Sequence, residues 1–408
     1  METVIVIGGG AAGIMAALTA AEGENRRVLL LERQQRIGRK LLATGNGRCN
    51  LTNTGATLEH YHGEQADFAA PALAKFTPQD ALDFFHGLGL MTVEEYGGRV
   101  YPLSNSANSV VDVLRFALQT RGVNVVCSCD VIEVKKKARG YEAIAATGER
   151  YFGDRLIVAA GGCAGKKLGG TKSGYHLLGM LGHSVTALSP SLTQIRTDPT
   201  HVRALKGVRA DALVRLRQNG QLIAQEAGEV QFTDFGLSGP VAFSLSRAAG
   251  LLDGAELSLD FLRAYAPEDV DALLKDKRAA MGELPAEDFL SGILPSRLGS
   301  VVMRRALGSL QRPASALTDA ELTQVRQQLR CFTLPVTGVM GMENAQVTAG
   351  GIVTDEFDPQ TLESRLAPGV FATGEVLDID GDCGGYNLQW AWSSGRLAGM
   401  LGKREESV

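Results

Sequence analysis

The stretch TVIVIGGGAAG, residues 3–13, decides the fold. Its first half is an unbroken run of Val and Ile, the pattern of a strand buried on both faces in a parallel sheet. Its second half fits G-x-G-x-x-G with Gly8, Gly10 and Gly13. Gly8 permits the tight turn after the strand. Gly10 lets the backbone approach a pyrophosphate with no Cβ in the way, and Gly13 allows close helix–strand packing. The Ala-rich segment that opens at Ala11 and Ala12 reads as a helix whose first N–H groups and positive dipole end suit phosphate. A second buried run, VLLL at 28–31, leads to Glu32, 19 residues past Gly13. Glu32 is placed to accept hydrogen bonds from ribose hydroxyls, and its charge disfavours a 2′-phosphate. Together these predict a β-α-β dinucleotide unit with a right-handed crossover. The choice between NAD and FAD is open at this point.

Outward from this unit, 408 residues suffice for two or three domains. The formal net charge is −4, from 41 basic and 45 acidic residues. That balance gives no reason to expect nucleic acid or an anionic membrane as a partner; a small-molecule substrate is expected instead. The run Lys135-Lys136-Lys137 reads as a solvated sheet edge. The six cysteines contain no C-x-x-C, and neither a disulfide framework nor a metal site is expected. Cys127 and Cys129 read as small side chains on one face of a strand, and His60-x-His62 is the nearest approach to a metal pair. The apolar runs are too short or too broken by Gly to span a bilayer, and no signal peptide precedes the first strand, so a reducing cytoplasm is the expectation. Composition leaves the oligomeric state open.

Residues 38–53, GRKLLATGNGRCNLTN, are polar and punctuated by glycine. Helical patterns follow near 79–88, 107–121 and 171–182. Residues 123–136 read as strand, and 140–162 as a β-meander ending in a buried strand at 156–160. From Pro190 to about residue 265 the pattern alternates like strands. From Pro267 to Leu329 it is charged and helical, with two helix-length stretches broken by Pro285 and Pro295. After Thr337 the style of the first region returns, with a last helix at about 387–401. The predicted class is α/β: a discontinuous Rossmann-like domain from 1–189 plus 338–408. A β-rich insertion covers 190–265 plus 330–337, and a helical subdomain covers 266–329.

The far end chooses the nucleotide. An NAD-only dehydrogenase completes its dinucleotide fold early in the chain, whereas here the second half-signature is GVFATGEVLDIDGDCGGYNLQWAWSSGRLAG, near the C-terminus. A strand runs into Thr373-Gly374-Glu375, then a Gly-rich loop and a helix, in a way that resembles the C-terminal FAD segment of two-dinucleotide-fold flavoproteins. The helix start near Gly385, Tyr386, Asn387 and Leu388 points N–H groups at the flavin N1/C2=O edge, where reduction places negative charge. A helix-dipole contact of roughly 0.3–2 kcal/mol, with ~1.4 kcal/mol per 30 mV, raises the potential by up to about 40 mV.

Three stretches, GRKLLATGNGRCNLTN, FTDFGLSGP (232–240) and TGEVLDIDGDCGGYNLQWAWSSG, resemble the BaiN/YhiN-like family of bacterial NAD(P)/FAD-dependent oxidoreductases from the first strand to the last helix. The resemblance implies non-covalent FAD in a discontinuous Rossmann-like domain with inserted β-rich and helical subdomains. It places cofactor contacts on Gly8, Gly10, Ala11, Ala12 and Gly13, on Glu32, Arg33, Arg39 and Lys40, and on Asn46, Gly47, Arg48, Cys49 and Asn50. Further contacts fall on Val131, Ala160, Gly161, Gly374, Glu375, Gly385, Tyr386, Asn387 and Leu388.

Three residues are candidates for chemistry. Cys49 lacks a resolving partner at C-x-x-x-x-C spacing, so dithiol exchange is not expected; a thiolate aided by Arg48 is the reactive reading, a packed small side chain the bland one. Arg48 reads as a residue that neutralises the FAD pyrophosphate and holds the loop's structure, or as a partner for a substrate carboxylate. Tyr386 reads as a general acid or as packing over the flavin. Trp390 and Trp392 read as core, and DFGLSGP as a turn. The expected function is hydride transfer through flavin N5 to or from a small organic substrate. With one dinucleotide fingerprint, NAD(P)H is expected to visit the substrate cavity transiently. A flavin oxidase acting on an amine-type substrate with O2, and an FAD-dependent tRNA-modifying protein, stand as alternatives.

Overall fold

The computed structural model describes residues 1–402, and every structural statement below concerns these. Contacts divide the chain into two compact units, Met1–Ser189 with the chain from Gln346, and Pro190–Ala345.

The first unit is organised by a five-stranded parallel sheet. Its strands are β1 (Glu2–Ile7), β2 (Arg26–Leu31), β3 (Asn124–Val126), β4 (Arg155–Val158) and β5 (Val370–Ala372), in the order β5-β4-β1-β2-β3. Helices α1 (Ala11–Ala20) and α2 (Tyr386–Gly399) share this unit. The apolar runs read as buried strands are buried: Val4, Ile5, Val6, Leu30, Leu156, Ile157 and Val370 have no exposed surface. The β1–β2 register, Val4 opposite Val28 through Ile7 opposite Leu31, brings the glycine loop and Glu32 to the same carboxyl end of the sheet. α2 lies against α1 because two glycines on one of its faces allow it. A Cβ on Gly395 would stand 2.5 Å from the Ala12 carbonyl oxygen, and one on Gly399 2.6 Å from that of Ala16. Trp390 and Trp392 are buried core, and their indole N–H groups donate to Gly374 O (3.2 Å) and Leu51 O (2.8 Å).

Residues 123–136 form two strands rather than one. β3 ends at Val126, Ser128 takes a left-handed φ of +56°, and a second strand begins at Val131. Cys127 and Cys129 lie in the link, not on a strand face. A three-stranded antiparallel sheet, Val131–Lys136, Tyr141–Ala145 and Arg150–Gly153, follows as a meander.

The second unit is a closed antiparallel barrel with helices sharing its core. The barrel order is Ile195–Thr197, Gly236–Ser238, Gln221–Phe232, Arg209–Gln218, Ala255–Asp260 and Phe332–Val339. The segment DFGLSGP is thus a barrel strand followed by the helix Pro240–Gly250, not a turn. Three helices, rather than two, occupy the charged stretch: Pro267–Met281, Ser296–Leu307 and Asp319–Arg330. The third starts at a capping box, Thr318 with Glu321. Val270, Leu274, Leu298, Val302, Val325 and Leu329 belong to the same buried cluster as the barrel residues Leu257, Leu259 and Phe332. Among the described residues, no helix is long and apolar enough to cross a membrane.

Candidate functional site: a nucleotide cradle closed by the last helix

The glycine loop sits between β1 and α1. A Cβ on Gly8, whose φ is +110°, would stand 2.3 Å from Ala159 O, and one on Gly13 1.9 Å from Gly8 O. Both positions exclude a side chain through backbone packing. Gly10 differs, since a Cβ there meets nothing within 4 Å. The same holds at Gly161. The first bond of α1 runs from Ile14 N to Gly10 O at 2.9 Å, so the amides of Ala11, Ala12 and Gly13 precede the ladder. No side chain caps them and no acid occupies the first turn. Elsewhere the chain caps helices with full capping boxes, at Thr77–Asp80 and Thr318–Glu321. α2 is bare in the same way: Gly385 is its N-cap, with φ +106° and no side-chain cap, and no acid follows in the first turn. Its ladder begins with Gln389 N to Gly385 O at 3.0 Å, leaving the Asn387 and Leu388 amides ahead of it.

Glu32 is held by two backbone donors. Its Oε2 accepts from Gly9 N at 2.6 Å and its Oε1 from Gln34 N at 2.6 Å. Beside it, a cleft of about 320 Å³ is lined by Arg33, Asp130, Val131, Thr171 and His176. Arg33 crosses to donate to Gly169 O at 2.7 Å. A wider groove of about 670 Å³ is lined by Gln34, Arg36, Arg39, Leu42 and Leu168. Arg39 donates to Gln34 Oε1 and to Lys167 O. The C-terminal segment closes on these residues. A Cβ on Gly374 would lie 2.7 Å from the Ala12 Cβ, and a Cβ on Gly162, two residues beyond Ala160, would lie 2.5 Å from Glu375 Oε1. Glu375 takes Lys40 as an ion pair at 2.6 Å and the Thr348 amide at 2.9 Å.

At the other end, residues 44–53 fold against the start of α2. Gly45, Asn46 and Gly47 all take positive φ, which bends the backbone sharply between Thr44 and Arg48. A Cβ on Gly385 would meet Thr52 O at 2.5 Å and Asn50 Oδ1 at 3.0 Å. Asn50 Oδ1 is buried and accepts no hydrogen bond. An acceptor left bare beside two free helix amides is a polar cradle awaiting a donor. FAD fits it: the isoalloxazine ring carries one N–H donor flanked by carbonyl oxygens, and the donor set here is one acceptor with two amides. The residues that would hold FAD are therefore the α1 amides and Glu32 at one end, and Asn50 and the α2 amides at the other. Asn387 would contribute through its backbone, because its side-chain amide is already bonded to Gly381 N and O and to Asp382 O.

The surroundings of Cys49 and Arg48 bear on their readings. Cys49 is fully buried with φ +62°, and burial pushes its thiol up to about 12 against a weaker pull from a Thr44 hydrogen bond. It is a packed thiol, so the thiolate reading falls. On alkylation of native protein at neutral pH, mass mapping is expected to find exposed Cys331 labelled and Cys49 intact; modification of Cys49 at a comparable rate contradicts this. Arg48 is ion-paired with Glu95, hydrogen-bonded to Asn105 and stacked 3.9 Å over Tyr101, so it braces the loop.

Tyr386 opens α2. Its ring stacks on His60 with centroids 4.3 Å apart, and its carbonyl accepts from the Tyr61 hydroxyl at 3.1 Å. The antiparallel pair Tyr61–His62 with Asp380–Gly381 brings Asp382 between two imidazoles, His60 Nδ1 at 3.0 Å and His62 Nε2 at 2.7 Å. Burial raises the Asp382 carboxyl, but the His62 and His60 hydrogen bonds outweigh it and hold the group below the usual range. No group of three or more His, Cys, Asp or Glu side chains able to hold a metal occurs among the described residues. The sequence reading singled out His60-x-His62 but not Asp382, which lies over 300 positions away; an acid in the GDCGG loop was the available signal.

Residues 2–401 match the HI0933-like protein Rossmann domain family. The chain is 40% identical over 404 residues to the 3-dehydro-bile acid delta(4,6)-reductase of Clostridium scindens, covering 98% of each chain. It is 30% identical over 396 residues to the ribosomal RNA dihydrouridine synthase of Escherichia coli, covering 96% of this chain and 95% of that one. Among solved structures it resembles a 3-ketosteroid delta1-dehydrogenase from Sterolibacterium denitrificans, with 14% identity, a TM-score of 0.49 and coverage of 98% and 99%.

Proposed function

The chain belongs to the HI0933-like Rossmann family and is an FAD-dependent oxidoreductase; from that premise we propose that it reduces a carbon–carbon double bond conjugated with a carbonyl, with NAD(P)H as electron donor and FAD held non-covalently. The observation that carries this reading is the full-length likeness to the bile-acid reductase. A 3-dehydro group is a ketone, and a Δ4 double bond is conjugated with it. The dihydrouridine synthase supports the same bond type, because dihydrouridine is uridine with a ring double bond next to a carbonyl saturated.

When bound, FAD supplies a hydride from N5. This chain's residues do the rest. Glu32 and the α1 amides hold the nucleotide, and the α2 amides hold the edge that becomes negative. A hydride so supplied would form a C–H bond at the β-carbon as the π pair moves toward the carbonyl oxygen, and a proton must reach the α-carbon. Tyr386 is the donor in this reading: a phenol keeps its proton at neutral pH, and His60 and Tyr61 fix its place.

The test is anaerobic. NADH or NADPH is expected to bleach the flavin, and a 3-oxo-4-ene steroid to restore its colour. No bleaching with either nucleotide rules out the donor. Restoration by O2 alone, after reduction by an amine, favours the oxidase instead. The RNA-acting relative favours a second reading, in which the double bond belongs to uridine in RNA. The net charge of −4 weighs against a polyanion. Recovery of flavin colour with ribosomal RNA but not with the steroid would select that reading.

A further inference from the structure

Arg99 begins the strand Arg99–Pro102, which pairs with Thr52–Asn53 on one side and Thr92–Glu95 on the other. The basic side chains carried over as cofactor contacts are spent. Lys40 is paired with Glu375, Arg48 with Glu95, and Arg33 and Arg39 donate to backbone carbonyls. Glu95 stands directly across the ladder from Arg99, yet its carboxylate is drawn to Arg48. Arg99 itself has no carboxylate within ion-pair distance among the described residues, although it is half-buried. A partly desolvated guanidinium without a counter-charge is a cost unless something else supplies the oxygen.

Its surroundings indicate what does. A Cβ on Gly384 would lie 3.1 Å from Tyr386 Cε2 and 3.6 Å from Arg99 Nε, so the phenol ring and the guanidinium flank one point beside the start of α2. Asn53 Nδ2 lies 3.6 Å from the same point. We infer that Arg99 is the substrate anchor of this site, binding the carbonyl oxygen of the conjugated substrate on which negative charge develops. The inference rests on the reductase reading above. The β-carbon gains the hydride, the C=C π bond breaks, and its pair moves through the carbonyl to the oxygen held by Arg99. The carbonyl then re-forms as the Tyr386 proton bonds to the α-carbon, and solvent returns a proton to Tyr386. NAD(P)H, as electron donor, would supply the hydride that bound FAD passes on.

The test uses oxidised, FAD-loaded protein and 4-chlorophenol, whose phenolate oxygen imitates the charged oxygen and whose ring gives a long-wavelength band when it lies on a flavin. Wild-type protein is expected to give that band. Arg99→Gln is expected to bind the phenolate about tenfold or more weakly, with unchanged FAD content, and Arg99→Lys to recover part of the loss. Reoxidation of the reduced flavin by the 3-oxo-4-ene steroid is expected to slow about 100-fold in Arg99→Gln. No band with wild-type protein, or equal phenolate affinity in wild type and Arg99→Gln, overturns the assignment. If the phenolate depends on Arg99 while wild-type protein passes no electrons to the steroid, the anchor stands and the reductase reading falls.

Discussion

Gly10→Val protein is expected to fold and to emerge from purification colourless, whereas Gly13→Val is expected not to fold stably at all. The two glycines lie three residues apart in one motif, but they serve different ends. At Gly13 a Cβ would stand 1.9 Å from the Gly8 carbonyl, a backbone atom that cannot move without opening the β1–α1 turn. Overpacking of this kind costs about 1–3 kcal/mol and more where backbone is the obstacle. At Gly10 a Cβ meets nothing within 4 Å, and its φ of −83° suits any residue. A valine there leaves the protein chain undisturbed and fills the approach to the α1 amides. Thermal melts with and without added FAD separate the cases. Wild-type protein at a hundredfold excess of FAD over Kd gains about 2.7 kcal/mol. Gly10→Val is expected to melt like the wild-type apoprotein and to gain nothing. A yellow Gly10→Val protein with an FAD-dependent melting shift would remove the glycine loop from the cofactor site.

Tyr386→Phe is expected to separate the two halves of the reaction. The change deletes one hydroxyl and keeps the ring that stacks on His60, as well as the backbone carbonyl that accepts from Tyr61. FAD content and the rate of bleaching by NAD(P)H should therefore match wild type. Transfer to the conjugated substrate is expected to fall about 10²–10⁴-fold, the usual worth of a positioned general acid. The solvent deuterium isotope effect on that step should change with it. Equal slowing of both halves would make Tyr386 a packing residue, and no slowing of either would move the proton donor elsewhere.

Much of this arrangement is local and was legible before folding. The strand 4–7, the loop at Gly8–Gly10–Gly13 and Glu32 occupy one β-α-β unit of about 30 residues, where spacing along the chain nearly dictates spacing in space. The missed third helix was legible too, from the T-x-x-E box at Thr318–Glu321. Arg48 and Cys49 kept more than one reading for a different reason. Their residue types are right for chemistry, but their roles depend on neighbours distant in sequence, Glu95, Asn105 and Tyr101 for Arg48, and complete burial for Cys49.

What the chain determined by itself, then, is a dinucleotide fold, because turn chemistry, strand burial and helix starts are set by runs of a few adjacent residues; the flavin came with the resemblance of its C-terminal segment to the FAD segment of flavoproteins. Which side chains remain available for a substrate was decided only in three dimensions. Asp382 reaches His60 and His62, Lys40 is neutralised by Glu375, and Arg48 takes the carboxylate that would otherwise cover Arg99. Charge pairing depends on distance through space, and no periodicity in the sequence encodes a partner three hundred residues away.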